Sequence, residues 1–408
     1  MEPITEIKKT LSVEEAAALL LEQVRPVRKW EQLPLLEAAG RICAEDVNAR
    51  FDQPPFDRSP LDGYAVFHED LAGASREKPA VLQVCQTIYA GDSCWKKIRR
   101  GEAARIMTGA PIPEGADCVV RQEDTNLGES QVSVYTSLRE YQNYCLQGED
   151  IRQGERMLRC GDRLNPAALG LLASQGIDSV KVISRPKVSV LSTGTELAKL
   201  GDSLAPGQIY DSNRILLTAY GAEQGAEIRS SVSVADEPEI IASAIQKALE
   251  ESDLVVSTGG VSVGRHDYME KAGKLAGARV LLHGVRVKPG SPVLVLEKSG
   301  KLAICLSGNP FAAFATFVLL VLPVIRRLEG STAVLPERAA GIVKDPFPKA
   351  SPVRRFVRAF IRNGEITLSG TGHASGLLAS LTRCNCLIDI PAGNQGLKKG
   401  DLVETVLF

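Results

Sequence analysis

Between residues 185 and 329, short runs of consecutive apolar positions alternate with stretches whose apolar positions recur every three or four residues. The runs are KVSVLST from 187, AEIRSSVSV from 226, DLVVSTG from 253, ARVLLHGVRV from 278 and PVLVLE from 292. The helical periodicity covers 214–224, 238–250 and 266–276. Strands without a polar face, interleaved with helices, predict a largely parallel sheet covered on both sides, with ligands at the carboxyl ends of its strands. Upstream, Ser12 and Glu15 make a capping-box start for a helix over 12–23, and a second short helix is expected at 35–39, ending near Gly40. Residues 51–67, rich in Pro and Asp, read as an irregular connection, and β-like runs follow at 80–91, 102–109, 117–124 and 131–137. A turn-rich stretch from 147 leads to a helix opened by Asn165-Pro166 and a strand ending at Val182. From 331 onward the pattern alternates with period two, interrupted by one short helix over 375–381, which predicts a small β-barrel or sandwich.

These elements predict a multidomain α/β chain. Residues 1–46 and 143–183 are expected to form a mixed α+β domain, with a β-rich domain over 47–142 inserted into it. A central doubly wound three-layer α/β domain spans 184–330, and a C-terminal β-barrel domain spans 331–408.

Composition narrows the classes. At 408 residues, 44% apolar and 24% charged, the chain has the make-up of a soluble multidomain globular protein. A formal charge of −1 argues against nucleic acid or an anionic membrane as partner. The longest apolar run, 311–325, is short for a bilayer span and contains Pro323, and the polar first residues show no secretory signal pattern. Nine scattered cysteines suit a reducing cytoplasm; Cys384 and Cys386, without a second pair, are weak evidence for zinc.

The chemistry concentrates in residues 254–268, an apolar strand followed by Gly259, Gly260 and Gly264 among small hydroxyls, with Asp267 opening a helical segment. Glycine-lined backbone at a helix start makes a cradle for a phosphate or oxyanion. A carboxylate beside a bound phosphate repels it unless a divalent cation such as Mg²⁺ lies between them, so the stretch reads as anion plus metal. Glu196 in Ser192-Thr193-Gly194-Thr195-Glu196, Asp236, and the turn Ser307-Gly308-Asn309-Pro310 fall at other strand ends of the same sheet, with Lys288 near by. Carboxylates for Mg²⁺ with a lysine and open N–H groups for phosphates suit phosphoryl or nucleotidyl chemistry. Each residue also has a plainer reading. Asp267 opens a helix, Asp236 caps one ahead of Pro238, Glu196 favours a helix dipole, Lys288 is solvated, and Arg354, Arg355 and Arg358 form a solvated strand edge. His266 is a poor ligand for hard Mg²⁺, and Cys305 reads as core.

The assembled motifs resemble the MoeA and gephyrin E-domain family. The likeness rests on 61–65 (LDGYA), 105–111 (RIMTGAP), 148–151 (GEDI), 192–197 (STGTEL), 257–267 and 307–310 (SGNP), in the family's order across nearly the whole chain. It implies a molybdopterin-binding central domain and an elongated homodimer whose cleft sets that domain against the β-rich domain of the partner copy. The implied reaction is molybdopterin molybdenumtransferase, in which adenylylated molybdopterin and molybdate give molybdenum-molybdopterin and AMP with Mg²⁺, along with transient contact to a molybdopterin adenylyltransferase. By the same resemblance Glu196, Asp236 and Asp267 attend the metal and pyrophosphate, and Asp62, Thr108 and Asp150 are polar positions of the facing domain. Ser257, Gly259, Gly260, Ser262 and Gly264, with Ser307, Gly308, Asn309 and Pro310, match the molybdopterin and nucleotide loops, and Lys288 the oxyanion pocket. Two departures stand out: Ser291 where many members carry a second lysine, and Ser59-Pro60-Leu61 before the Asp-Gly-Tyr-Ala run. They keep open a tungstate-handling paralogue. A molybdopterin adenylyltransferase and a non-catalytic molybdopterin-binding scaffold are the competing functions.

Overall fold

The computed structural model describes residues 8–93, 95–261, 268–369 and 372–408. Its central sheet has seven strands in the order Lys8–Leu11, Arg279–Val285, Leu294–Lys298, Lys301–Leu306, Leu254–Thr258, Lys187–Thr193 and Glu227–Val234. The last four run parallel, so chain order reverses between Lys187–Thr193 and Leu254–Thr258. That reversal leaves a crevice at their carboxyl ends. The sheet is more mixed than the apolar runs suggest, because Leu294–Lys298 is antiparallel to both neighbours. The cause is a two-residue hairpin: Ser299 and Gly300 both take positive φ (54° and 79°), the twist that joins antiparallel strands tightly.

Alternate residues of each strand feed opposite layers. Leu254, Val256, Leu302 and Ile304 pack with the helices Val13–Gln23, Ser212–Glu223 and the long helical run from Pro310 to Leu328. Val255, Ala303 and Cys305 pack with Pro238–Glu251 and Tyr268–Leu275. The run Pro310–Leu328 is long and apolar enough to cross a membrane by composition, yet 89% of its most apolar window is buried inside this fold. It tolerates Pro323 by widening into a π-turn over Phe317–Val321, which makes room where the proline ring would meet the preceding turn.

Some expectations need correction. Strand Lys8–Leu11 and helix Val13–Gln23 belong to the central layers and not to the domain containing 143–183, because the helix's Ala16, Ala17 and Leu20 fill the same core as Val188 and Leu254. Residues 35–40 form turns in which Ala38 N–H bonds the carbonyls of Pro34 and Leu35; five residues do not sustain a helix. Within the stretch read as irregular, Gly63–Val66 is an inner strand, where any side chain at 63 would strike the Val120 carbonyl at 1.8 Å. Only a short 3₁₀ turn, Ala379–Arg383, stands where 375–381 was expected to be helical.

The remaining bodies are a small core around Ala38, Cys43, Leu164, Leu172 and Val182, a five-stranded sheet from Gly63 to Val134, and a closed five-stranded C-terminal barrel from Arg338 to Leu407.

Candidate functional site

The crevice at the strand-order reversal is lined by Thr193, Glu196, Tyr210, Asp211, Asn213, Thr258, Gly259, Gly308 and Pro310, among others, and has a volume of about 70 Å³. Its floor follows from backbone geometry. Gly259 and Gly260 leave the strand with φ of 92° and 68°, and a Cβ at Gly259 would sit 2.0 Å from the Thr193 carbonyl oxygen. Only glycine lets the two strand ends close up this way. Gly259 N–H donates to the Leu306 carbonyl, which draws the 307–310 turn alongside.

Two carboxylates flank Thr193. Asp236 does not cap the helix Pro238–Glu251: the N-cap is Glu237, without a side-chain bond, and Asp236 Oδ1 instead accepts from Thr193 Oγ1 at 2.7 Å. Glu196 is exposed, its carboxylate folded over Gly194, where a Cβ would lie 2.7 Å away. Asp267, Ser262 and Gly264 lie outside the described residues, as does His266. Among the described residues no cluster of three or more His, Cys, Asp or Glu side chains gathers to hold a metal. Glu196, Asp236 and the Thr193 and Thr258 hydroxyls are nevertheless hard oxygen donors of the kind Mg²⁺ takes, so the donor chemistry fits.

Two side chains outside the sequence expectations complete this rim. Asp211, 4% exposed, accepts from Ser192 Oγ and from Arg214 Nε at 2.8 Å, and it caps the helix Ser212–Glu223 through Arg214 N–H. Asn213 Nδ2 donates to the Gly308 carbonyl at 2.7 Å. The signal was the Asp-Ser-Asn run before Arg214, whose aspartate is an N-cap residue type. Ser257 faces inward, buried with its Oγ 4.0 Å from Met269 Sδ, so it supports the strand and not the crevice. Ser307 is buried, its Oγ accepting from Asn309 N–H, while Gly308 and Asn309 are exposed at the turn's tip.

Lys288 does not join this rim. It lines a second cavity of about 310 Å³ with Phe311, Phe347, Lys349, Arg355, His373 and Ser375, between the central domain and the barrel. Pro310 lines the first cavity and Phe311 the second, so the 307–311 turn separates them. The arginines here are no solvated edge. Arg358 is fully buried, its guanidinium 4.3 Å from the Phe311 ring centroid, with Nε and Nη1 lacking partners among the described residues. Arg355, 8% exposed, lies 5.5 Å over Phe347. Burial lowers the pKa of Arg358, and burial followed by Arg358 lowers that of His373. Buried guanidinium groups with unmet N–H donors are matched by an oxyanion.

Asp62 and Thr108 meet in the five-stranded region, Thr108 N–H and Oγ1 both donating to Asp62 Oδ1 at 2.7 Å. Those bonds hold the Asp62 carboxyl below its usual range. Asp150 is exposed, its N–H bonded to the Gln53 carbonyl.

Three family models match in succession: the MoeA N-terminal region (domain I and II) over residues 11–176, a probable molybdopterin binding domain over 189–327, and the MoeA C-terminal region (domain IV) over 340–408. A molybdopterin molybdenumtransferase of Staphylococcus epidermidis is 36% identical over 400 residues, covering 97% of this chain and 95% of that protein. One from Staphylococcus aureus is 35% identical over 391 residues, covering 94% and 93%. The solved molybdopterin biosynthesis moeA protein of Pyrococcus horikoshii OT3 superposes with a TM-score of 0.86 at 30% identity, over 98% of this chain and all of that one.

Proposed function

The chain belongs to the MoeA family, and from that premise we propose that it is a molybdopterin molybdenumtransferase, inserting molybdate into adenylylated molybdopterin with Mg²⁺-dependent release of AMP. The observation that carries this reading is the pair of cavities on either side of the 307–311 turn, one glycine-floored and acidic, the other basic and aromatic. A substrate with a phosphoanhydride at one end of its reacting part and a dithiolene at the other needs both, side by side.

In this reading the backbone of Gly259, Gly260 and Gly308 approaches the pyrophosphate closely, and Glu196, Asp236 and Asp267 hold Mg²⁺. The ion, when bound, screens the phosphates from the carboxylates and stabilises charge on the leaving AMP. Thr193 fixes the Asp236 carboxylate through its hydroxyl, so the acceptor is aimed before substrate arrives. Lys288 and Arg355 line the second cavity and draw molybdate into it, with Arg358 adding its charge from behind the Phe311 wall, where the aromatic surroundings strengthen their attraction for a dianion. A second copy of the chain supplies its Asp62–Thr108 pair and Asp150 from across a homodimer cleft, and a molybdopterin adenylyltransferase hands over the substrate in the cytoplasm.

The test is AMP release from adenylylated molybdopterin by the purified protein. Release that requires both molybdate and Mg²⁺ supports the assignment; a protein that binds the nucleotide but yields no AMP with both present overturns it. An adenylyltransferase would instead consume ATP and free molybdopterin, and it has no use for the buried arginines. Tungstate outcompeting molybdate in the same assay would identify the oxyanion-switched paralogue, for which Ser291 in place of a lysine is the motive.

A further inference from the structure

The turn 307–310 carries one bond of its own, from Asn309 N–H to Ser307 Oγ at 3.2 Å, and that bond leaves the Gly308 carbonyl to be held from outside. Gly308 is exposed and outside the left-handed region, and a Cβ built on it would meet only the Gly259 Cα, at 3.8 Å. Neither crowding nor backbone strain therefore dictates which way the Gly308 carbonyl points. The bond from Asn213 Nδ2 to the Gly308 carbonyl does.

The other end of that tether is rigid. Asn213 lies in the first turn of Ser212–Glu223 and is 8% exposed. The helix's cap, Asp211, is bonded to Ser192 at the end of a central strand, and Arg214, bonded to Asp211, reaches on to the Ser231 carbonyl on the neighbouring strand at 3.1 Å. One short segment thus ties two strands to the turn, beside the crevice floored by Gly259. The Asn213 amide is also only half used, its Oδ1 being buried without a donor among the described residues. An orphan acceptor in the core is a poor choice for stability alone, since an apolar residue of similar volume would leave nothing unpaired.

We propose that Asn213 is a positioning residue of this site: by holding the Gly308 carbonyl it fixes the pose in which the 307–310 turn presents the Gly308 N–H to an anionic ligand, the Asn309 N–H being taken by Ser307 Oγ and Pro310 having none. The inference rests on reading the crevice as the pyrophosphate cradle. It differs from a packing role in a way that can be measured. Asn213→Asp keeps the shape but sets a carboxylate against the Gly308 carbonyl, whereas Asn213→Ala only removes the donor. A positioning role makes the isosteric change the worse of the two; a packing role makes it the milder.

The experiment measures AMP binding with Mg²⁺ by titration calorimetry, and amide hydrogen exchange over residues 305–311, in wild type, Asn213→Ala and Asn213→Asp. The expected result is binding weakened about tenfold in Asn213→Ala and further in Asn213→Asp, with faster exchange over the turn in both. Wild-type affinity in Asn213→Asp, or exchange over the turn unchanged in both variants, overturns the proposal. If the wild-type protein itself binds no AMP, the pyrophosphate reading falls, and exchange over 305–311 alone decides the positioning role.

Discussion

Asp236 can cap the helix behind it or bond the strand end before it, and its side chain accepts from Thr193, which lines the crevice. Asp236→Asn keeps an oxygen able to accept from Thr193 and removes only the charge. It is expected to melt within about 0.5 kcal/mol of wild type, as changes that break no packing do, yet to slow AMP release by about a hundredfold or more, the loss usual when a charge-stabilising group goes. Glycines in the same crevice separate sharply. Gly259→Ala must push a methyl against the Thr193 carbonyl from a left-handed backbone, costing about 2–4 kcal/mol in a urea melt. Gly308→Ala makes only an ordinary contact, with the Gly259 Cα at 3.8 Å, and should cost under about 0.5 kcal/mol. Equal losses for the two would contradict the close approach of the strand ends. At this scale the placement of Glu196, Asp236, Gly259, Gly260 and the 307–310 turn just past strand ends of one sheet was legible in the sequence, because strand ends can be read from apolar runs. Asp211 and Asn213 were not, because a buried polar network declares itself only when the strand it bonds, here through Ser192, is known to lie beside it. That Lys288 opens on a cavity of its own was hidden for the same reason: that cavity is built mostly by the barrel, about 60 to 90 residues further on.

Helix starts were the most readable elements, since caps are local. Ser12 Oγ accepts from Glu15 N–H at 3.1 Å while the Glu15 carboxylate accepts from Ser12 N–H at 2.7 Å. Asn165 caps the helix Pro166–Ser174 in the same manner, through Ala168 N–H at 2.8 Å. What could not be read was where a capped helix goes. Strand Lys8–Leu11 is too short to announce itself, yet it docks helix Val13–Gln23 into the central core. A consequence follows for stability: Ser12→Ala should cost about 1 kcal/mol, the usual worth of an N-cap. Because the helix shares the core of the α/β layers, the loss should appear in the main unfolding transition of a urea melt. A separate early transition confined to the first helix would show instead that it is docked weakly.

Across the whole molecule, the N-terminal helix is tied to the barrel through one buried carboxylate. Asp389, 7% exposed, accepts from Arg354 Nε at 2.6 Å and from Arg338 Nη1 at 2.9 Å. Arg354 also reaches Glu14 on the first helix, and Arg338 reaches Glu404 on the last strand at 3.0 Å. Burial by itself raises the Asp389 pKa, but Arg354 and Arg338 outweigh it and hold the group below the ordinary carboxylate range; Asp389 in turn raises the pKa of Arg354. A carboxyl with a depressed folded pKa binds fewer protons in the native state than in the unfolded one. Its stabilisation is therefore present above the unfolded value, near pH 4, and is lost as pH falls through the lower folded value. Asp389→Asn should cost about 2 kcal/mol at pH 7, short of the roughly 3–5 kcal/mol for a sealed pair because both arginines keep solvent and a second carboxylate. The gap between variant and wild type should then close below about pH 4, since the native protein loses there what the variant never had. Urea melts of both proteins between pH 7 and pH 3 measure this directly, and a gap that stays constant across that range would mean that Asp389 packs the junction without its charge contributing.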